Sequence, residues 1–266
     1  MKKKLIAMLL SAAMCLSLAA CGQKADTPDT TDPAEPSGDA ATYTVGICQL
    51  VQHEALDAAT QGFIDALNEA LPGQVKFEEK NASGDSNSCA TIVNGFVSEG
   101  VDLIMANATA ALQAAASATS DIPVLGTSIT AYGVALDIDD FSGTVGGNVS
   151  GTSDLADLSK QADMITEWFP ETQKVGLLFC SGEPNSRYQI EEVAKNLSAK
   201  GIETKEFAFT DSNDVASVTQ SAADYADVVY LPTDNTAASN TEAIANILVP
   251  AGVPAICGEE GICSGC

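Results

Sequence analysis

The chain has 266 residues and a formal net charge of −24, with 12 Lys and Arg against 36 Asp and Glu. So acidic a chain, with Arg187 as its single arginine, excludes nucleic acid as a partner, because a phosphate backbone needs a basic face. A hydrophobic content of 45% is enough to build a core, so most of the chain reads as globular.

The first residues address the compartment. Lys2, Lys3 and Lys4 precede an apolar run from Leu5 to Leu18, the charged and hydrophobic regions of a signal peptide over residues 1–20. The run ends at Leu18-Ala19-Ala20-Cys21-Gly22, with small residues at the cleavage point and a cysteine directly after it, the lipobox pattern. Acyl chains on Cys21 would bury methylenes at about 0.8 kcal/mol each, enough for stable anchoring by several chains. The alternative is a secreted chain with an incidental cysteine at that position. Residues 21–42 are rich in Thr, Asp, Pro and Gly and predict a disordered linker behind the lipidated cysteine. No later run reaches the roughly 18 apolar residues of a membrane span. The expected location is extracytoplasmic, anchored to the cell membrane through Cys21.

From residue 43 onward, short β-branched runs alternate with amphipathic ones. Tyr43–Val51 predicts a strand, and Leu56, Ala59, Phe63, Leu67 and Ala70 lie at helical spacing within Ala55–Leu71. Val75–Glu79 is the next strand, Ser86 a candidate cap for the next helix, and Gly100 its stop. Val101–Ala106, a helix over Thr109–Ala118 and a strand over Ile122–Gly126 follow. The glycine-rich Val145-Gly146-Gly147-Asn148 reads as part of a hinged crossing.

A second series starts after residue 150. Leu155, Leu158, Ala162, Ile165 and Phe169 make one helical face, and Ile190, Val193, Ala194 and Leu197 another. Val175–Cys180, Thr204–Phe209, Val228–Leu231 and Val253–Cys257 are strands. Alternation with short loops predicts an α/β fold of doubly wound, Rossmann-like parallel sheets.

The two series repeat one plan. Val45-Gly46-Ile47 returns as Val175-Gly176-Leu177, Asp85-Ser86-Asn87 as Asp211-Ser212-Asn213, Asp102-Leu103-Ile104 as Asp227-Val228-Val229, and Ile122-Pro123-Val124 as Val253-Pro254-Ala255. The offsets are 130, 126, 125 and 131, in conserved order along the chain. This predicts two similar lobes, 43–150 and 151–257, with 258–266 as a second inter-lobe crossing that ends truncated.

Open parallel sheets bind ligands beyond the carboxyl ends of their strands. The residues there are Gln49, His53, Glu54, Thr109, Thr127 and Ser128 in the first lobe, and Glu183, Asn185, Ser186, Asp234, Asn235 and Thr236 in the second, with Asp154 between them. Hydroxyls and free backbone N–H groups suit a carboxylate, so Thr109, Thr127, Ser128 and Ser186 are anion candidates. Asp154, Glu183 and Asp234 are candidates for an ammonium group. Plain helix capping is the competing reading for each of them. The set suits a small zwitterion.

Catalytic and metal signatures are missing. There is no Gly-x-Ser-x-Gly elbow, phosphate loop or His-Glu-x-x-His, and His53 is the only histidine. No catalytic residue, metal or cofactor is expected. Cys48, Cys89 and Cys180 read as small core residues. Cys263-Ser264-Gly265-Cys266, with Cys257 upstream, lacks the second pair of a zinc knuckle and does not open a helix after a strand. A hinge-region loop or a local disulfide is expected there, with a metal or redox role as the alternative.

Residues Val45–Asp57, Phe96–Thr109, Asp121–Val124 and Gly258–Gly261 together resemble the tryptophan-binding, TrpX-like group of ABC-transporter substrate-binding lipoproteins, which have the type I periplasmic-binding-protein fold. The resemblance spans about residues 43–266. It implies a monomer whose lobes close on an amino acid, an aromatic one such as tryptophan in some relatives, in the inter-lobe cleft and then dock on an ABC permease. It further implies that the chain stops short of the strand and helix with which relatives complete the first lobe. Tyr132, Phe141, Tyr188 and Tyr230 are the available aromatic walls, with core packing the default for Phe141 and Tyr230. Purines, branched-chain amino acids and short peptides fit the same architecture. A ligand sensor feeding a signalling receptor is the alternative function, and a surface hydrolase built around His53 a weaker one.

Overall fold

The structure, a computed structural model, describes residues 42–266. The expected signal peptide, the Cys21 anchor and the linker as far as residue 41 lie outside the described residues.

The first lobe alternates β1 (Tyr43–Gln49), α1 (Glu54–Ala70), β2 (Val75–Asn81), α2 (Ser86–Glu99), β3 (Leu103–Asn107), α3 (Thr109–Ala118), β4 (Val124–Ile129), the single turn α4 (Tyr132–Ala135) and β5 (Val149–Ser153). Its five strands are all parallel, in the order β2-β1-β3-β4-β5. The second lobe runs α5 (Leu158–Trp168), β6 (Lys174–Cys180), α6 (Pro184–Ala199), β7 (Glu203–Phe209), α7 (Val215–Ala223), β8 (Val228–Leu231), α8 (Asn235–Ala238), α9 (Thr241–Ala251), β9 (Ala255–Cys257) and α10 (Glu260–Gly265). Its sheet is also parallel, in the order β7-β6-β8-β9. In both sheets the first strand lies inside and the chain winds outward to either side, the doubly wound arrangement.

Local chemistry fixes the boundaries. The N-cap of α2 is Asp85, not Ser86: its carboxylate accepts from Asn87 N–H at 3.0 Å and Ser88 Oγ at 2.9 Å. The helix ends at Gly100, whose left-handed φ of 70° suits a glycine. Leu155, placed by periodicity on the α5 face, lies outside that helix and is exposed, because Asp157 caps it at Ser159 and Lys160 N–H.

Inner strands are buried on both faces, as parallel sheets require. In the second lobe Leu177 and Phe179 pack on one side with Ile165, Ile190 and Tyr230, while Leu178 packs on the other with Phe209, Val229 and Ile244. Each fully buried apolar side chain of this size contributes about 1.5–3 kcal/mol. Cys48, Cys89 and Cys180 are buried free thiols, as their apolar contexts predict.

Three expectations change. Residues 149–153 form β5 on the edge of the first sheet, so that lobe extends past residue 150 and the chain leaves it at Asp154. Gly146 and Gly147, with φ of 82° and 63°, make the turn into β5 and belong to the first lobe rather than to a crossing. Residues 258–266 enter α10, which packs on the second lobe and buries Ile262 completely in its core.

Candidate functional site

The carboxyl ends of the two sheets face one cavity of about 320 Å³. Its first-lobe wall carries His53, Leu56, Thr127, Ser128, Thr130 and Asp154, and its second-lobe wall Asn185, Thr233, Asp234, Asn235, Ala238 and Glu259. Seven of the residues singled out by strand-end position thus meet in one place: His53, Thr127, Ser128, Asp154, Asn185, Asp234 and Asn235. Thr130, Thr152, Ser153, Thr233 and Glu259 join them; they too lie just beyond strand ends or on β5, which was not predicted as a strand.

The bulge between Gly126 and Ile129 turns Thr127 and Ser128 out of the β4–β5 pairing. Ser128 takes a left-handed φ of 56° there, a conformation that costs free energy for a non-glycine residue and recurs at ligand sites. Asp154 is held beside this bulge. Its N–H donates to Ile129 O at 3.1 Å, and the preceding Ser153 Oγ donates to Thr130 O at 2.9 Å. Desolvation by the cleft walls raises the Asp154 pKa, and the facing Glu259 charge raises it further, while a hydrogen bond from the Thr130 side chain works against both. No Lys or Arg lines the cavity.

Glu183 and Asp234 both hold the start of a helix, as the competing reading of plain capping has it. Glu183 accepts from Asn235 N–H (3.0 Å), Asn235 Nδ2 (2.7 Å), Thr236 N–H (2.8 Å) and Thr236 Oγ1 (2.8 Å). Asp234 accepts from Cys180 N–H at 2.7 Å and Ala237 N–H at 2.8 Å. The two side chains cap α8 together and tie it to β6. Burial and the adjacent Glu183 push the Asp234 pKa upward, against these two short N–H bonds. Ser186 is fully buried behind Asn185, and Thr109 is buried at the start of α3; neither lines the cavity.

Asn185 is different. Its Nδ2 donates to Thr233 O at 3.2 Å and also contacts Glu183 and Ser186. Its Oδ1 is buried and has no hydrogen-bond partner among the described residues. An unsatisfied buried acceptor costs about 1–3 kcal/mol.

The remaining candidates are dispersed. Gln49 is buried and donates to Asp57 Oδ1 at 2.6 Å while accepting from Thr60 Oγ1 at 2.6 Å, on the wall of a separate first-lobe cavity. Glu54 faces an adjoining space with Gln52, His53 and Glu259, and Thr236 a further one shared with Asp85 and Glu183.

None of the four expected aromatic walls lines the cavity. Tyr230 is fully buried and donates to Gln161 Oε1 at 2.5 Å. Tyr188 packs on the second-lobe core, and the Tyr132 hydroxyl donates to Gly126 O at 3.0 Å. Phe141 stacks on Tyr132 with centroids 6.5 Å apart and is itself partly exposed, not core. The apolar surface of the cavity comes from Ala55, Leu56 and Ala238. Arg187 pairs with Glu206 at 2.6 Å and lies over the Phe179 ring, away from the cavity.

Residues 44–266 match the family model described as ABC transporter substrate binding protein. The chain is 30% identical over 266 residues to the tyrosine-binding protein of Clostridioides difficile (strain R20291), covering 97% of this chain and 76% of that one. Among solved structures it is similar to an ABC domain from Streptococcus pneumonia in complex with L-Trp (31% identity, TM-score 0.79, 84% of this chain and 76% of that chain). A ligand-free, open substrate-binding protein with adhesive properties from Clostridium difficile is as close in sequence (32% identity, 83% and 76% coverage), but its TM-score is 0.57.

Proposed function

The chain belongs to the ABC transporter substrate-binding protein family, and on that footing we propose that it captures a zwitterionic amino acid between its lobes for an ABC importer. The observation that carries this reading is one cavity whose two walls carry Asp154 and Asn185, the latter with an unpartnered Oδ1. Both are acceptors, and an ammonium group supplies three donors. The Thr127 and Ser128 hydroxyls on the bulge receive the ligand carboxylate, with no Lys or Arg needed for a group that is neutral overall.

The cavity is at the small end of the range for ligand pockets, which suits one amino acid better than a peptide. The relatives named for tyrosine and bound to L-Trp support an aromatic side chain. In this chain that side chain would pack against Leu56, Ala238 and the His53 ring. The better superposition on the L-Trp complex than on the open, ligand-free structure, at nearly equal identity, supports reading this conformation as the closed one.

In this account the protein binds and hands over its ligand without chemical change. It works outside the cytoplasm as a monomer, held at the membrane through Cys21 and docking on a permease. The test is a thermal-shift panel of the twenty amino acids and the common nucleosides. A cognate amino acid at 100 times its dissociation constant should stabilise the fold by about 2.7 kcal/mol. A shift with nucleosides and none with amino acids would reject the proposal.

A further inference from the structure

The end of the second sheet holds a thiol pair outside the ligand site. Cys257 closes β9 opposite Leu231 of β8. The chain turns through Gly258, whose N–H donates to Leu231 O at 2.7 Å, and enters α10. The Glu259 carboxylate caps that helix at the N–H groups of Gly261 (2.8 Å) and Ile262 (2.5 Å). Burial of Ile262 fixes the helix on the lobe, and Cys266 N–H donates back to Ile262 O at 3.0 Å. Gly265 passes so close to Thr241 that a Cβ would lie 2.6 Å from its side chain, and Cys266 Sγ sits 4.0 Å from Thr241 O. The return brings Cys266 onto the same core cluster of the second lobe as Cys257. Cys263, on the same helix, is exposed.

We propose that Cys257 and Cys266 form a disulfide that closes the loop carrying Glu259, a residue of the ligand cavity. The oxidant is a disulfide donor, either a small-molecule disulfide or a thiol–disulfide oxidoreductase. Cys266 attacks as its thiolate, its proton having gone to solvent. Its sulfur forms a mixed disulfide with one sulfur of the donor and releases the other as a thiol. The Cys257 sulfur then displaces the second donor thiol and its proton leaves with that group. Two protein thiols and one donor disulfide become one protein disulfide and two donor thiols. Cys48 and Cys89 are both fully buried and closed to a donor in the folded protein.

The test is peptide mapping of the purified chain after reduction and equilibration with excess oxidised glutathione. Alkylation under denaturing conditions and cleavage after Glu259 and Glu260 separate Cys257 from the other two thiols. The expected result is a Cys257–Cys266 cross-link with Cys263 alkylated. The link should persist in Cys263→Ser and vanish in Cys266→Ser. Alkylation of all three thiols, a Cys257–Cys263 link, or a Cys263–Cys266 link that forms equally in Cys257→Ser would overturn the proposal.

Discussion

His53 Nε2 lies 3.3 Å from Asn235 Oδ1, joining the start of the first lobe's first helix to a short helix of the second lobe. The amide orientation follows from its other end: Asn235 Nδ2 donates to Glu183 at 2.7 Å, which leaves the oxygen facing the imidazole, so Nε2 carries the proton. In the proposed binding cycle the bond forms only when the lobes approach. His53→Ala should therefore weaken ligand binding about two- to tenfold, the value of one neutral hydrogen bond, mainly through faster dissociation. Stopped-flow dissociation compared with apo melting temperature checks this; an unchanged off-rate would contradict it.

Asp154→Asn keeps the shape of the cavity and removes the charge proposed to face the ligand ammonium. A charged hydrogen bond contributes about 1.5–3 kcal/mol, so affinity should fall about 10- to 150-fold with little change in apo stability. Calorimetry with the cognate amino acid and its des-amino analogue separates the causes. The variant should lose affinity for the first and not for the second.

Binding should also depend on pH through the same group. Desolvation and the Glu259 charge raise the Asp154 pKa, and only the ionised form holds an ammonium. Affinity should fall as pH drops through that raised value, before ordinary carboxylates protonate. Asp154→Asn should flatten this limb of the titration measured by calorimetry.

Glu183→Gln and Asp234→Ala act on stability instead. Glu183 accepts four hydrogen bonds at the start of α8, and Asp234 ties α8 to β6. Loss of either leaves buried N–H groups unpaired, at about 1–3 kcal/mol. For a chain of this size each kcal/mol lowers the melting temperature by about 2–4 °C, which calorimetric unfolding of the apo protein measures.

The sequence repeat was legible because it is written in groups that hold the sheets together. Asp102 accepts from Thr44 N–H at 2.7 Å, and Asp227, its counterpart, from Lys174 N–H at 2.9 Å. Pro123 and Pro254 each supply the carbonyl for the same bond, to Ile104 N–H and Val229 N–H at 2.9 Å. In the two sheets Val45 pairs with Leu103 and Val175 with Val228. Strand-end position alone therefore found seven residues of the cavity.

Long-range pairing hid the rest. The strand over Val149–Ser153 is polar and mostly exposed, so it carries no hydrophobic pattern. It fits beside β4 because a Cβ at Gly151 would collide with Gly126 O and the Tyr132 hydroxyl. Glu183 looked free because the helix it caps begins 52 residues away. Phe141 and Tyr132 find each other, and neither lines the cavity.

A crystal structure of the protein with its cognate amino acid tests the central claim most directly. The ligand amino nitrogen should lie within hydrogen-bonding distance of both Asp154 and Asn185 Oδ1, with its carboxylate at Thr127 and Ser128. An amino acid bound in the reverse orientation, or in any other cavity, would contradict the account.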